Sequence, residues 1–299
     1  MKYYVGITDS DWYNHLSNLK PDEVNFWRPS GKNFYAIDIG APFLFKLHSP
    51  NNYIVGGGYY IRSEALPLSL AWDAFGEKNG AGSYEEFNEL LLGHRRVKEF
   101  DPLIGCIILN NPFFLPQEHW IPVPSSWSKN IVSGRSYNTS ESEGEALWNA
   151  VSEKIEFLNI PKEDKVYGNE YLIKSRLGQG AFRLLVTSAY KRRCSISGEK
   201  TVPALQAAHI KPVSAEGPNH TNNGLLLRSD LHLLFDKGLI TVTPDCHVLV
   251  SKLIRDKYQN GKEYYKFDKQ KLVILPDTLT EQPNKEYLDW HNNYCYKAV

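Results

Sequence analysis

Short apolar runs broken by Pro, Gly and Asn dominate residues 1–125. YYVGIT, NFYAIDI, PFLFKLHS, NYIVGGGYYIR and LIGCIILNNPFFL are dense in Tyr, Phe, Ile and Val. Such side chains suit a pleated, half-buried surface, and each run predicts a strand. One helix is predicted over 83–92. There SYEEFNELLL offers Ser83 as N-cap and Glu86, three residues on, as the second half of a capping box. Five or more strands with few helices imply a small barrel or a strongly curved sheet.

The pattern then changes. SSWSKNIVSGRSYNTSESEGE is crowded with Ser, Gly and Asn and carries no apolar period. In EGEALWNAVSEKIEFL the period returns, with Leu147, Val151, Ile155 and Leu158 on one helical face. A second helix is predicted at QGAFRLLVTSAYKRR, where Phe182, Leu185, Val186 and Ala189 form the stripe. CSISGEKTVPALQAAHIKPV predicts two short strands. SDLHLLFDKG predicts a helix capped by Ser229 and stopped by Gly238, and LITVTPDCHVLVS a hairpin. No internal repeat is visible. The predicted organisation is α+β: a β-rich domain over 1–125, a linker and helix over 126–164, and a second domain over 165–299.

Composition sharpens this only locally. The 299 residues are 42% hydrophobic, enough for two ordinary domains, and Lys+Arg and Asp+Glu both number 34. Between Lys165 and Lys262, however, fifteen Lys/Arg face seven Asp/Glu, a local net of +8 that leaves −8 elsewhere. That asymmetry suits a phosphate-binding surface. Cys106, Cys194, Cys246 and Cys295 lie far apart without a CxxC pair, so neither a disulfide framework nor a zinc ribbon is expected. MKYYVGITDSDWYNHL turns polar too early for a signal peptide, and no apolar run nears the roughly 18 residues of a membrane helix. A soluble, cytoplasmic protein without membrane contact is expected.

The chemistry concentrates in ALQAAHIKPVSAEGPNHTNNGLLLRSDLHLLFDKGLI, residues 204–240. His232 and Asp236 are four apart on the predicted helix, hence on one face and able to share a cation. Imidazole with carboxylate suits Mg2+, Mn2+ or Zn2+. His209 ends an apolar strand before a proline, where a rigidly held, near-neutral imidazole can act as a general base. Asn223 precedes Gly224 in a tight loop. Either its side-chain amide or its backbone would accept from the far nitrogen of His209 and fix the tautomer. Together the roles assemble into phosphodiester hydrolysis.

In this order and at intervals of 14 and 9 residues, His209, Asn223 and His232 resemble the motif of the HNH (ββα-metal) endonucleases. The frame RLGQGAFR, AYKRRCSISG, AAHIKP and NGLLLRSDLHLLFDKGL is similar to the restriction-type subgroup over residues 170–250. The resemblance implies a ββα-metal fold, with His209 as general base, Asn223 as the residue holding loop and base, and His232 as a metal ligand. Asp236 falls at a second ligand position. The implied metal is divalent, Mg2+ or Mn2+, with Zn2+ or Ni2+ as alternatives. Ala208 stands where many relatives have an Asp or His ligand. Arg176, Arg183, Lys191, Arg192 and Arg193 are candidates for DNA-phosphate contacts, Arg183 alternatively bracing the motif loop.

Such a site grips backbone rather than base edges, so residues 1–125 are expected to choose the target. FWRPSGKNFY, FLFKL and GGGYYIR weakly resemble the PUA-like superfamily of EVE and SRA type, which would make this a β-barrel-rich domain that extrudes a base into an aromatic pocket. Trp27, Phe34, Tyr35, Tyr59, Tyr60 and Trp72 are candidates for its walls, and Gly56–Gly58 for close approach of backbone to ligand. The leading expectation is a type IV-like, modification-dependent restriction enzyme that cuts double-stranded DNA bearing 5-methyl- or hydroxymethylcytosine, with a homodimer favoured for cutting both strands. Two alternatives stand beside it: a phage-defence nuclease gated by a small-molecule or partner sensor, and a DNA-binding relative without catalysis.

Overall fold

Seven strands of the N-terminal half join one mixed sheet, ordered β2-β5-β4-β3-β1-β7 with β6 beside β4. The computed structural model describes residues 1–93, 99–161, 167–168, 171–172 and 177–298, and these fall into two units, Met1–Gly178 and Gln179–Val299. The strands are β1 (Lys2–Thr8), β2 (Glu23–Arg28), β3 (Pro42–Leu47), β4 (Tyr53–Pro67), β5 (Leu103–Phe114), β6 (Ile121–Pro122) and β7 (Gly134–Asn138). β1 runs parallel to β3, and the other pairings are antiparallel. The 15-residue β4 breaks register against β5 at Gly57/Tyr59 and at Tyr60/Arg62, bulges of the kind that bend a strand and curve its sheet.

Period-2 alternation sorts this sheet's two cores. Tyr4, Phe26, Phe43 and Phe45 bury one face with Trp12, Tyr13 and Leu16 of α1 (Ser10–Leu19). Tyr3, Val5 and Leu44 bury the opposite face with Leu147, Val151 and Ile155. Those last three lie on α4 (Ser142–Phe157), which follows α2 (Leu68–Phe75) and α3 (Tyr84–Gly93). The 126–164 segment thus supplies β7 and α4 to the first unit. Its low apolar content has a structural reason: β7 is an edge strand in which only Tyr137 is buried. α3 begins where the capping box predicted, with the Glu86 amide donating to Ser83 Oγ at 3.2 Å and Glu86 Oε2 accepting from the Gly82 amide at 2.7 Å.

Two local readings are corrected. NFYAIDI, 33–39, forms no strand; it runs irregularly along β4, with the Phe34 amide donating to Ser63 Oγ and Gly40 to the Tyr60 carbonyl. Gly56–Gly58 lie against neighbouring strands, not against a ligand-sized gap: a Cβ on Gly56 would stand 2.2 Å from the Phe113 carbonyl oxygen. These glycines admit close strand packing. α1, β2, α2, β6 and β7 were not predicted, β7 lying in the stretch read as linker; Asp9 Oδ1 accepting from the Trp12 amide at 2.8 Å is the N-cap signal that marks α1.

The second unit contains α5 (Gln179–Ala189), β8 (Leu205–His209), β9 (Gly224–Arg228), α6 (Ser229–Asp236), β10 (Ile240–Val242), β11 (Val248–Val250), α7 (Leu253–Tyr258), α8 (Lys262–Tyr265) and α9 (Lys285–Tyr294). β8 and β9 pair antiparallel, and α6 follows β9 directly. Only one of the two strands expected in 194–213 forms; its partner is GLLLR. Leu225, Leu226 and Leu227 are all fully buried, between α5 on one side and α6 on the other. Each such leucine contributes about 1.5–3 kcal/mol on burial. Ser229 opens α6 but does not cap it, its hydroxyl donating to the Ala204 carbonyl at 2.9 Å. Gly238 ends the turn as predicted, at φ +68°.

Candidate active site

Strand pairing fixes His209. It is the last residue of β8, opposite Gly224 in register, and the Ile210 amide donates to the Asn223 carbonyl at 2.9 Å. Its ring stacks on Phe182 of α5, centroids 3.9 Å apart and planes 11° from parallel. Gly224 makes that approach possible, since a Cβ there would meet Val186 at 2.4 Å and the Phe182 ring at 3.2 Å. His209 Nε2 lies 2.8 Å from Asn219 Oδ1. An amide oxygen only accepts, so Nε2 carries the proton and Nδ1 keeps a lone pair. Burial against Phe182 holds the imidazole below its usual pKa, the Asn219 hydrogen bond pulls it back up, and His232 adds a smaller downward push. A mostly neutral imidazole with one lone pair is the form a general base needs.

Asn223 holds the loop, as the resemblance implied, but not the base. Its fully buried side chain accepts from the Lys211 amide and donates to the Lys211 and Pro218 carbonyls, all at 2.9 Å. It therefore clamps the 211–218 loop, and its amide does not touch the His209 ring. Asn219, which sequence reasoning missed, holds the ring. Nothing local marks Asn219 in PNHTNN; only the loop that Asn223 closes brings it back to His209.

His232 and Asp236 share one face of α6, with Nε2 3.3 Å from Oδ2. Gln206 Oε1 lies 2.8 Å from His232 Nδ1, which assigns the proton to Nδ1 and leaves the Nε2 lone pair beside the carboxylate. Gln206 also escaped the sequence reading. His209, His232 and Asp236 line one cleft of about 500 Å3, with Ala207, Pro212 and Cys295 among the other walls. No group of three or more His, Cys, Asp or Glu suited to a metal exists among the described residues. Two protein donors suit an ion that keeps several waters, as Mg2+ does, rather than a closed zinc site. His291 lines the cleft too, but it cannot ligate: Thr241 Oγ1 at 2.8 Å and the Phe235 carbonyl at 3.2 Å occupy both ring nitrogens.

The basic candidates are spread out. Arg183 sits half-buried on α5, and Lys191 and Arg192 follow that helix in left-handed conformations, φ 55° and 56°. Lys191 Nζ lies 2.7 Å from Asp277 on the surface, and Arg193 has its Nε buried. Arg176 lies outside the described residues.

The six aromatic candidates do not form one pocket. Tyr35, which is 81% exposed, and Tyr60 line an open cleft of about 870 Å3 with Asn33, Asp38, Arg62 and Glu64. Phe34 is buried among Tyr4, Phe43 and Tyr60. Trp27 and Trp72 both pack on Phe87 of α3, and Tyr59 faces Tyr171. Phe34 is core, and the half-buried Trp27, Trp72 and Tyr59 pack over helix and strand surfaces.

Residues 194–243 match the HNH endonuclease family. The second unit thus carries an HNH endonuclease domain, whose ββα element is β8, β9 and α6. No curated protein matches the chain. Among solved structures, an ASCH protein from Zymomonas mobilis, which is PUA-like, is similar at 9% identity and TM-score 0.35, covering 48% of this chain and 94% of its own. A structure titled modification dependent TagI restriction endonuclease is similar at 13% identity and TM-score 0.29, covering 93% of this chain and 76% of its own. Likenesses at these scores carry no functional argument. No helix among the described residues is long and apolar enough to cross a membrane.

Proposed function

We propose that this chain is a metal-dependent DNA endonuclease of restriction type whose N-terminal unit reads a modified cytosine in double-stranded DNA. The observation that carries the nuclease half is the single cleft lined by His209, with its available lone pair, and by the His232–Asp236 pair. His209 Nδ1 takes a proton from a water; that water's oxygen attacks phosphorus and the bridging oxygen of the scissile ester leaves. A divalent ion, Mg2+ or Mn2+, held by His232 and Asp236, would supply positive charge against the crowded phosphate. Phe182 fixes the plane of the base, Asn219 its tautomer, and Asn223 the loop that brings Asn219 to the ring. Arg183, Arg192 and Arg193 supply cationic contacts to DNA phosphates.

The reader half rests on the open cleft beside Tyr35 and Tyr60, aromatic on one side and bearing Asp38, Arg62 and Glu64 for polar contacts. Its volume also falls in the range of small-molecule sites, which favours a ligand-gated nuclease as the second reading. One experiment separates them. Unmodified, 5-methylcytosine and hydroxymethylcytosine plasmids are incubated with Mg2+, Mn2+ or EDTA. Cleavage confined to modified DNA, lost in EDTA and lowered about 10²–10⁴-fold in His209→Ala, is the expected result. Equal cutting of all plasmids removes the reader, and metal-independent cutting removes the mechanism.

A further inference from the structure

α9 contributes more than a wall to the cleft. His291, on it, and Cys295, just beyond it, line the cleft. Trp290 and Tyr294 each come one residue earlier and so lie about 100° around the same helix, on the adjoining face. Their rings stack with centroids 5.4 Å apart and planes 30° from parallel, and Tyr294 is 76% exposed. Lys211 Nζ stands 6.0 Å from the Trp290 ring centroid. Lys211 follows His209 by two residues, and Asn223 clamps both its backbone amide and its carbonyl. The clamped Lys211 backbone therefore roots the ammonium beside the stacked rings and two residues from the base.

A lone exposed aromatic is ordinary on a protein surface. A stacked pair with a cation at the edge of a catalytic cleft is what nucleotide-stacking surfaces are built from, since every base has a π-face and every link a negative phosphate. We propose that Trp290, Tyr294 and Lys211 form a nucleotide platform. The open Tyr294 ring stacks on a base drawn out of the duplex beside the scissile phosphate, Trp290 backs it, and Lys211 takes the neighbouring phosphate. The proposal rests on the nuclease reading. The Lys211 ammonium at the Trp290 ring and continuity with the cleft favour DNA over a second copy of the chain.

The test uses the full-length chain and the duplex that the wild type cuts, with the cut position mapped from its products. Affinity is measured by fluorescence anisotropy in the His209→Ala background, with and without Tyr294→Ala. Tyr294→Ala is expected to weaken binding about tenfold to a hundredfold, and Tyr294→Trp to restore it. An abasic nucleotide beside the cut phosphate is expected to weaken the Tyr294 protein but add nothing to the Tyr294→Ala loss. Lys211→Ala is expected to reduce the salt slope of binding by about one unit. Equal affinity with and without the tyrosine ring, or an abasic penalty that is the same in both, overturns the platform while wild-type cleavage keeps the nuclease reading intact. A change of oligomeric state on gel filtration in place of a loss of affinity overturns it in favour of a self-association surface. A wild type that neither binds nor cuts DNA overturns both.

Discussion

His209, at the end of β8, and Asn219, ten residues on across the following loop, meet with Nε2 2.8 Å from Oδ1. That contact, and not one to the motif asparagine, decides which nitrogen of the imidazole is left to accept a proton. Asn219→Ala is expected to lower kcat about ten- to a hundredfold, as loss of an orienting partner does. The hydrogen bond raises the His209 pKa, so its loss moves the acid limb of the kcat/KM profile to lower pH, and Asn219→Asp moves it to higher pH. A pH–rate profile unchanged in both variants would remove Asn219 from the mechanism.

Asn223 gives a stability prediction. Asn223→Ala leaves the Lys211 amide and two carbonyls without their partner in a buried position. The expected loss is on the order of 3 kcal/mol, read from urea denaturation. Asn223→Asp should cost at least as much, because a carboxylate oxygen would then face the Lys211 and Pro218 carbonyls.

Metal binding can be read without turnover. Mn2+ titrated calorimetrically into the whole chain should bind markedly more weakly to His232→Ala and to Asp236→Asn. Gln206→Ala, which releases the His232 ring, should weaken it about tenfold. Binding unaffected by all three would move the ion elsewhere.

Acid should destabilise the second unit through His291. Burial against Phe235, with rings 3.7 Å apart, pushes this imidazole down to about 4. In the unfolded chain it titrates near 6.5, so between those values the unfolded state holds the extra proton. The stabilisation is therefore full above about pH 6.5 and is lost as pH falls towards 4, on the order of 3 kcal/mol in all. Denaturation at pH 7 and 4.5 should show a smaller drop in His291→Gln than in the wild type. Equal drops would refute the assignment.

Local geometry was legible from the chain alone. Leu147, Val151 and Ile155 face one way because four residues are about one helical turn, and His232 meets Asp236 for the same reason. The resemblance of His209, Asn223 and His232 to the HNH motif likewise implied the ββα element that β8, β9 and α6 form, although local pattern did not predict β9. Apolar β runs gave four of the sheet's seven strands but not β2, β6 or β7, and misread 33–39, where Phe34 and Ile37 are buried from an irregular segment.

Contacts closed through loops were decided only in three dimensions. Asn223 was the plausible partner of His209 from sequence, yet its three hydrogen bonds close a loop that delivers Asn219 instead. Gln206 reaches His232 from another element, and of six aromatics chosen by residue type Tyr35 and Tyr60 line one cleft among the described residues, while Phe34 is buried in the core. Backbone periodicity, repeated every turn or every second residue, reports which side chains share a face. It says nothing about which faces meet, because that is settled by packing and by the hydrogen bonds that buried polar groups must find.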